Sequence, residues 1–162
     1  MASWQCDFHL VPRGELRTGS GGLPEFIASG RARETRWWRR SRLPADYRER
    51  LGALAAPGHS WSHDLQTWGR EEGSRVDVWS EQGRVQSVFA RVDVRAPDRR
   101  FVGGLADFAR AADAVLVRYD GLVVEPTLPE VEAALGSSRA ARFVEDPEAY
   151  LTRVRLGGLE DR

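Results

Sequence analysis

The fold is decided by residues 75–95, which read RVDVWSEQGRVQSVFARVDVR. Apolar and polar side chains alternate along most of this stretch, which is the pattern of strands that bury one face. Gly83 interrupts the alternation, and glycine is the residue that most readily turns a hairpin. The stretch therefore predicts two antiparallel strands, residues 75–80 and 85–95, joined by a loop over residues 81–83.

The length of that loop follows from the side on which the valines lie. A two-residue loop would set Asp77 opposite Val88 and mix polar with apolar side chains on one face. A three-residue loop with Gly83 in the left-handed conformation aligns Val76 and Val78 with the valines of the second strand, so we predict the longer loop. The opposite face of this hairpin then carries Asp77, Trp79, Val85, Ser87, Phe89, Arg91, Asp93 and Arg95.

A second unit of the same order follows, again two strands and then a helix. Asp98 is placed to cap the helix of the first unit. The Asp-Gly pair at residues 120–121 is a strong hairpin signal between strands at residues 114–119 and 122–125. Thr127 begins a capping box that predicts the next helix. The apolar residues predicted to share one face of the second hairpin are Val115, Val117, Tyr119, Leu122 and Val124.

The N-terminal third is less regular than the rest of the chain. Alternating side chains predict a first strand over residues 3–11. Residues 12–33 hold so many glycines and prolines that they predict a long loop. Residues 35–38 predict a further strand, and Pro44 at a first helical position begins a helix.

The C-terminal segment predicts two short helices, the first capped by Ser138 and the second begun by Asp146. Paired glycines end the second helix, and residues 157–162 are expected to form a frayed tail. The whole chain, residues 1–162, thus predicts a single α+β domain. Its architecture is two-layer: a mostly antiparallel sheet of five to six strands, made of the N-terminal strand and two strand-strand-helix units, with the helices on one face.

Composition excludes several classes of function. The chain has 162 residues with 24 acidic and 24 basic side chains, and every basic side chain is arginine. Without lysine there is no Schiff-base chemistry, no P-loop lysine and no protein-kinase lysine. The arginine bias, together with abundant Ala, Gly and Val, indicates a GC-rich genome.

Cysteine usage and hydropathy bear on localisation. Cys6 is the single cysteine, so the chain forms no internal disulfide. The first residues lack a basic stretch followed by an apolar core, and no window reaches the roughly 18 apolar residues of a membrane helix. The C-terminal half is typical of small bacterial α+β proteins. We therefore expect a cytoplasmic protein that does not bind a membrane.

Two surfaces are candidates for binding another protein. Residues 31–42 contain six arginines, two tryptophans and one glutamate, a mixture that suits an acidic protein or nucleic acid. The outer face of the first hairpin carries aromatic rings beside arginines, the residue types that dominate interface energetics. The neutral net charge argues against nucleic acid. The candidate protein-binding residues are Arg36, Trp37, Trp38, Arg39, Arg40, Asp77, Trp79, Phe89, Arg91, Asp93 and Arg95.

Both surfaces also have a purely structural interpretation. If residues 35–38 form a strand, one tryptophan enters the core and the other packs beneath arginine stems. The long N-terminal segment would then cover the rings of the outer face and leave the charges in water.

Residues 58–64, GHSWSHD, concentrate side chains that could do chemistry. The pattern G-x-S-x-G is broken at Ser62, which argues against a nucleophile elbow. His59 and His63 are four residues apart and, on a helix, would share a face that could bind a metal with Asp64 or His9. The alternative is a turn in which the serines cap the chain and the histidines are merely polar.

The sequence therefore leads us to expect a small non-enzymatic module, a regulator or an immunity-type inhibitor. It would bind an unidentified protein, as a monomer or homodimer and without a cofactor. The alternative hypothesis is an enzyme or small-molecule binder that uses His59, His63 and Asp64, with a divalent metal. The third hypothesis is nucleic-acid binding through residues 31–42.

Overall fold

A computed structural model describes residues 3–34 and 36–160 and shows one open, six-stranded sheet. The strands are β1 (Gln5–Pro12), β2 (Leu65–Gly69), β3 (Arg75–Glu81), β4 (Arg84–Asp93), β5 (Ala114–Arg118) and β6 (Val123–Val124). Their order is β2-β3-β4-β1-β5-β6 and all neighbours are antiparallel. This arrangement confirms the predicted α+β class and places the N-terminal strand in the middle of the sheet.

The described residues also form helices and a short 3₁₀ turn, Trp37–Arg39. The helices are α1 (Arg13–Leu16), α2 (Ser29–Glu34), α3 (Tyr47–Leu54), α4 (Arg99–Ala111), α5 (Leu128–Gly136), α6 (Arg139–Glu145) and α7 (Pro147–Glu160). Asp98, Thr127 and Ser138 cap α4, α5 and α6 as predicted, because each side-chain oxygen accepts a hydrogen bond from a backbone N–H group in the first turn. Within the described chain no helix combines the length and apolar character needed to cross a membrane.

The hydrophobic core lies between the helices and one face of the sheet, which we call the inner face. Cys6, Phe8 and Leu10 alternate along β1 on this face and have no exposed surface. α6 reaches the same face, since it packs against β1 and Ser138 at its N-terminus is buried. α4 adds the apolar stripe Phe101, Val102, Leu105, Ala106, Phe108 and Ala109.

The opposite, outer face of the sheet is covered only in part. Val11, Val115 and Val117 point away from the inner face, by the alternation of a strand, and are nonetheless fully buried. The sheet is therefore covered on both faces where β1 meets β5. Where β1 meets β4, and where β4 meets β3, the outer face carries polar and aromatic side chains instead.

The first hairpin reaches the predicted alignment by a different route. Val78 lies opposite Val88, as predicted. The loop, however, has two residues, Gln82 and Gly83, with φ angles of 51° and 75°. The predicted three-residue loop is therefore wrong. A two-residue loop with positive φ at both positions is favoured because its twist matches that of the flanking strands.

A β-bulge supplies the shift that the short loop lacks. The register changes between Trp79 and Ser80, and Val85 pairs with Ser80. Val85 therefore lies on the inner face, not on the outer face where the sequence placed it. β4 ends at Asp93, so Arg95 lies beyond the strand. A bulge shifts the following residues to the opposite face without changing the loop, so loop length alone does not decide which face a residue occupies.

The second hairpin differs from prediction in the opposite sense. The N–H of Arg118 donates to the carbonyl of Leu122 at 2.9 Å, so three residues turn the chain rather than two. Val124 consequently pairs with Leu116, and the predicted common face of Val124 with Val117 is wrong.

Both edges of the sheet are closed by short extended stretches of the chain. Phe26 forms an isolated bridge with Leu122 at one edge, and Pro57 forms one with Trp68 at the other. Backbone groups at a sheet edge otherwise remain available to another strand. These bridges therefore leave little room for a partner to extend the sheet.

Several predictions for the irregular segments need correction. Residues 12–33 are not one loop, because they contain α1 and most of α2. The predicted strand at residues 35–38 is instead the 3₁₀ turn, with residue 35 outside the described residues. α3 begins at Tyr47, one turn after Pro44.

The paired glycines near the C-terminus do not end the last helix. α7 continues through residues 157–160, where a frayed tail was predicted, and residues 161–162 lie outside the described residues. Glycine inside a helix costs about 1 kcal/mol relative to alanine, which weakens a helix without stopping it.

Candidate functional site

The tryptophans of residues 31–42 belong to the core. Trp37 is 4% exposed and Trp38 is 1% exposed. Their indole N–H groups donate to the carbonyls of Ala32 at 3.2 Å and Leu10 at 2.8 Å. A buried indole whose only donor is satisfied offers nothing to a partner, so both residues leave the candidate surface.

The arginines around these tryptophans stay in water and line one cleft. Arg39, Arg40 and Arg42 approach it from the segment before α3, and Arg84 approaches from the tip of the first hairpin. The cleft has a volume of about 440 Å³. We call it the arginine cleft; its remaining lining residues are Trp38, Ser41, Leu43, Pro44, Ala45, Tyr47, Gly83 and Val85.

A second hollow lies on the other side of the same hairpin and holds exposed aromatic surface. Trp61 is 75% exposed and packs edge to face on Trp79, with 5.3 Å between ring centroids. Arg36 and Glu81 form an ion pair of 2.5 Å on the wall. We call this hollow, of about 390 Å³, the tryptophan groove; it is lined by Arg36, Asp64, Trp79, Ser80, Glu81, Gln86 and Ser87.

The loop that carries Trp61 is held by its own serines. Ser60 Oγ donates to the carbonyl of Ser62 at 2.7 Å, and Ser62 Oγ accepts from the N–H of Asp64 at 3.2 Å. The carbonyl of Asp64 accepts from the N–H of Ser80 at 2.8 Å, which ties the loop to β3. The serines therefore shape the loop, as the structural alternative for this segment anticipated.

The predicted metal ligands in this loop are not brought together. Residues 59–64 are not helical, so His59 and His63 lose the shared face that the prediction needed. His63 is 94% exposed, and its Nε2 lies 3.8 Å from the Asp64 carboxylate. In residues 3–34 and 36–160 no group of three or more His, Cys, Asp or Glu side chains is arranged to hold a metal ion.

The centre of the outer face holds a network of paired charges. Arg91 Nε lies 2.8 Å from the buried carboxylate of Asp7, and Arg75 Nε lies 3.1 Å from that of Asp77. Thr67 Oγ1 donates to Asp77 at 2.8 Å. Burial raises the pKa of the Asp7 carboxyl, in spite of the hydrogen bond from Arg91. Each carboxylate is paired with an arginine, so this network offers no free charge to a partner.

The other predicted outer-face residues are also engaged within the chain. Phe89 packs edge to face on His9 with the guanidinium of Arg91 5.6 Å from its ring centroid. Asp93 accepts from Arg95 at 2.7 Å, and this hydrogen bond lowers the pKa of the Asp93 carboxyl. Of the predicted set, the exposed members that face open space are therefore the arginines of the cleft and the wall of the tryptophan groove.

The single cysteine is chemically quiet. Cys6 is fully buried, and burial raises the pKa of its thiol to about 12. The thiolate is the nucleophilic form of cysteine, so a thiol with this pKa stays protonated and unreactive near neutral pH.

A buried ion pair went unnoticed in the sequence. Arg118 is 6% exposed and binds Asp120 through two hydrogen bonds, of 2.9 and 2.8 Å. Its remaining N–H groups reach the carbonyl of Ala134 and the hydroxyl of Ser137. Burial acts to lower the pKa of Arg118, but the Asp120 carboxylate outweighs it and the pKa is raised. The network joins the second hairpin to α5 and is structural.

Comparison with known proteins adds no information about these surfaces. No protein-family model matches the chain, and neither a curated protein nor a solved structure matches it. The exposed Trp61 and the cleft residue Arg84 were not among the predicted site residues, and Arg42 was included only as the end of the candidate stretch 31–42. Nothing local distinguishes Arg84 from other arginines, whereas a tryptophan between two serines in a turn is a signal that could have marked Trp61.

Proposed function

We propose that the chain is a non-enzymatic protein-binding module and that the tryptophan groove is its primary contact surface. The observation that supports this proposal is the exposure of Trp61 on a loop that is already ordered. Large exposed apolar side chains beside charged rims are typical of interface centres, where tryptophan and arginine supply most of the binding energy.

The groove also has the composition of an interface. Trp79 forms its apolar wall and Trp61 packs on Trp79 beside it, while the ion pair of Arg36 with Glu81 forms a polar rim. A partner that covers the Trp61 indole would remove on the order of 100–150 Å² of apolar surface from water, worth about 3 kcal/mol.

The loop around Trp61 adds to affinity by being ordered before binding. The serine hydrogen bonds and the contact of Asp64 with β3 hold the indole in place in the unbound chain. Ordering a loop during association weakens binding, so a pre-ordered loop keeps more of the contact energy.

The test uses a phage-displayed library of random dodecapeptides selected on the unsubstituted protein. We expect selected peptides to bind the Trp61→Ala variant about 10- to 100-fold more weakly, the range that corresponds to about 1.4–3 kcal/mol. Leu151→Ala is the matched control, because Leu151 is another exposed large apolar residue, on α7. Urea unfolding should show that both variants keep the stability of the unsubstituted chain.

Two results would contradict the proposal. Selection that enriches no peptide would remove the evidence that this surface binds protein. Peptides that bind both variants as tightly as the unsubstituted chain would place the contact surface elsewhere.

A further inference from the structure

The arginine cleft is built from two separate parts of the chain. The segment between the 3₁₀ turn and α3 contributes Arg39, Arg40 and Arg42, and the first hairpin contributes Arg84 beside its loop. All four side chains are exposed at the mouth. The cleft is therefore a tertiary feature, and the cations converge only because the hairpin tip packs beside the segment.

The charge of the cleft is not balanced from within the chain. None of the four arginines makes an ion pair or a side-chain hydrogen bond in the described residues, and no acidic residue lines the cleft. Two carboxylates close in sequence to the lining residues are already engaged, since Glu81 binds Arg36 and Asp46 binds Arg50. A concave surface lined by charges of one sign concentrates oppositely charged ligands.

The floor of the cleft is apolar and closed. Trp38 and Tyr47 are buried there, and Leu43 and Val85 are partly exposed beside them. Carboxylates could meet the guanidinium groups at the rim while aliphatic groups lie on the floor, because arginine forms paired hydrogen bonds with carboxylates. A polypeptide with both acidic and aliphatic side chains has this combination.

The same floor disfavours nucleic acid. Single-stranded nucleic acid is held by basic grooves in which bases stack on accessible aromatic rings. The aromatic residues of this cleft, Trp38 and Tyr47, are 1% and 8% exposed, so their rings are not available for stacking. The chain also carries no net charge.

We propose that the arginine cleft binds an extended acidic segment of a protein partner. This inference rests on the proposed protein-binding function and adds to it a second site with its own ligand chemistry. The two sites flank the same hairpin, so one partner can occupy both.

The experiment measures fluorescence anisotropy of a labelled peptide of alternating Glu and Val on the full chain at low salt. We expect Arg40→Ala/Arg84→Ala to weaken binding about tenfold or more, because it removes one charge-assisted hydrogen-bond donor from each of the two parts of the chain that build the cleft. Arg142→Ala/Arg155→Ala is the matched control, with the same change of charge at exposed positions on α6 and α7. The control should weaken binding less than about twofold.

Further arms of the experiment distinguish specific peptide binding at the cleft from a general charge effect and from nucleic-acid binding. Equal weakening by both double variants would show a general charge effect and overturn the site. Tighter binding of a thymidine oligonucleotide of equal charge, lost in the Arg40/Arg84 variant, would overturn the protein ligand in favour of nucleic acid. Trp61→Ala should leave the acidic peptide bound. If Trp61→Ala does not weaken the selected dodecapeptides but the acidic peptide still binds the cleft, only the proposed contact surface is refuted. If Trp61→Ala weakens the dodecapeptides but the acidic peptide does not bind the cleft, only the cleft is refuted.

Discussion

Among the glycines of the described residues, Gly121 leaves the least room for a Cβ and allows a sharp test of how the sheet edge is closed. It has φ of 94°, and a Cβ added there would lie 1.9 Å from the carbonyl oxygen of Ile27. That oxygen belongs to backbone and cannot rotate away. Gly121→Ala must therefore push the stretch around Phe26 off the edge of β6.

The expected cost has two parts. An L residue at this φ costs roughly 1–2 kcal/mol. Displacing the stretch also breaks two hydrogen bonds, Ile27 N–H to Gly121 at 2.9 Å and Val123 N–H to Glu25 at 2.8 Å. Each contributes about 1 kcal/mol, so the total loss of unfolding free energy is about 3 kcal/mol.

Gly83→Ala provides the matched control. Gly83 also has positive φ, at 75°, but no atom lies within 4 Å of its added Cβ. It should lose only the conformational part, about 1 kcal/mol. Urea unfolding gives both values, and amide exchange of Val123 should accelerate in the Gly121 variant alone. Equal stability losses, or a Val123 amide that stays protected, would refute the assigned edge closure.

Two further predictions concern buried charges. Asp120→Asn removes the carboxylate from buried Arg118, and we expect the unfolding free energy to fall by about 2 kcal/mol in urea unfolding. This loss is below the roughly 3–5 kcal/mol of fully buried pairs because Asp120 is 33% exposed. An unchanged unfolding midpoint would contradict this prediction. The second prediction concerns the pH dependence of Asp7, whose pKa is raised above 3.8 in the folded chain. Its contribution to stability is therefore present below pH 3.8 and is lost as the pH rises through the raised pKa. The stability difference between the unsubstituted chain and Asp7→Asn should therefore fall with rising pH, and a difference that rises would show the wrong sign.

The candidate site was only partly predictable from sequence. Six arginines within residues 31–42 predicted a basic surface, and Arg39 and Arg40 do line an exposed cleft. Trp37 and Trp38, in the same stretch, are core residues, because a 3₁₀ turn directs both indoles inward. Local sequence shows that a residue is amphipathic, but the direction of its side chain depends on what the segment packs against.

The two hairpins show why sequence predicts the buried residues of a strand better than its register. Alternating valines predicted which residues of the first hairpin are buried, because burial of one face demands period two. The loop lengths were wrong by one residue in both hairpins, in opposite directions. A bulge or a turn residue shifts the register at small local cost, so only packing of the whole sheet decides where the shift occurs.

The sequence by itself determined the α+β class, the two hairpins, the capped helices α4 to α6 and the exclusion of lysine chemistry. These features depend on neighbours within a few residues, whose periodicity, caps and composition can be counted. Only the tertiary structure decided that β1 lies between β4 and β5, that Arg84 joins Arg39, Arg40 and Arg42, and that Trp61 meets Trp79 beside a groove. Each of these contacts joins segments far apart in the chain, and their pairing is selected by burial of a shared core, which no local pattern records.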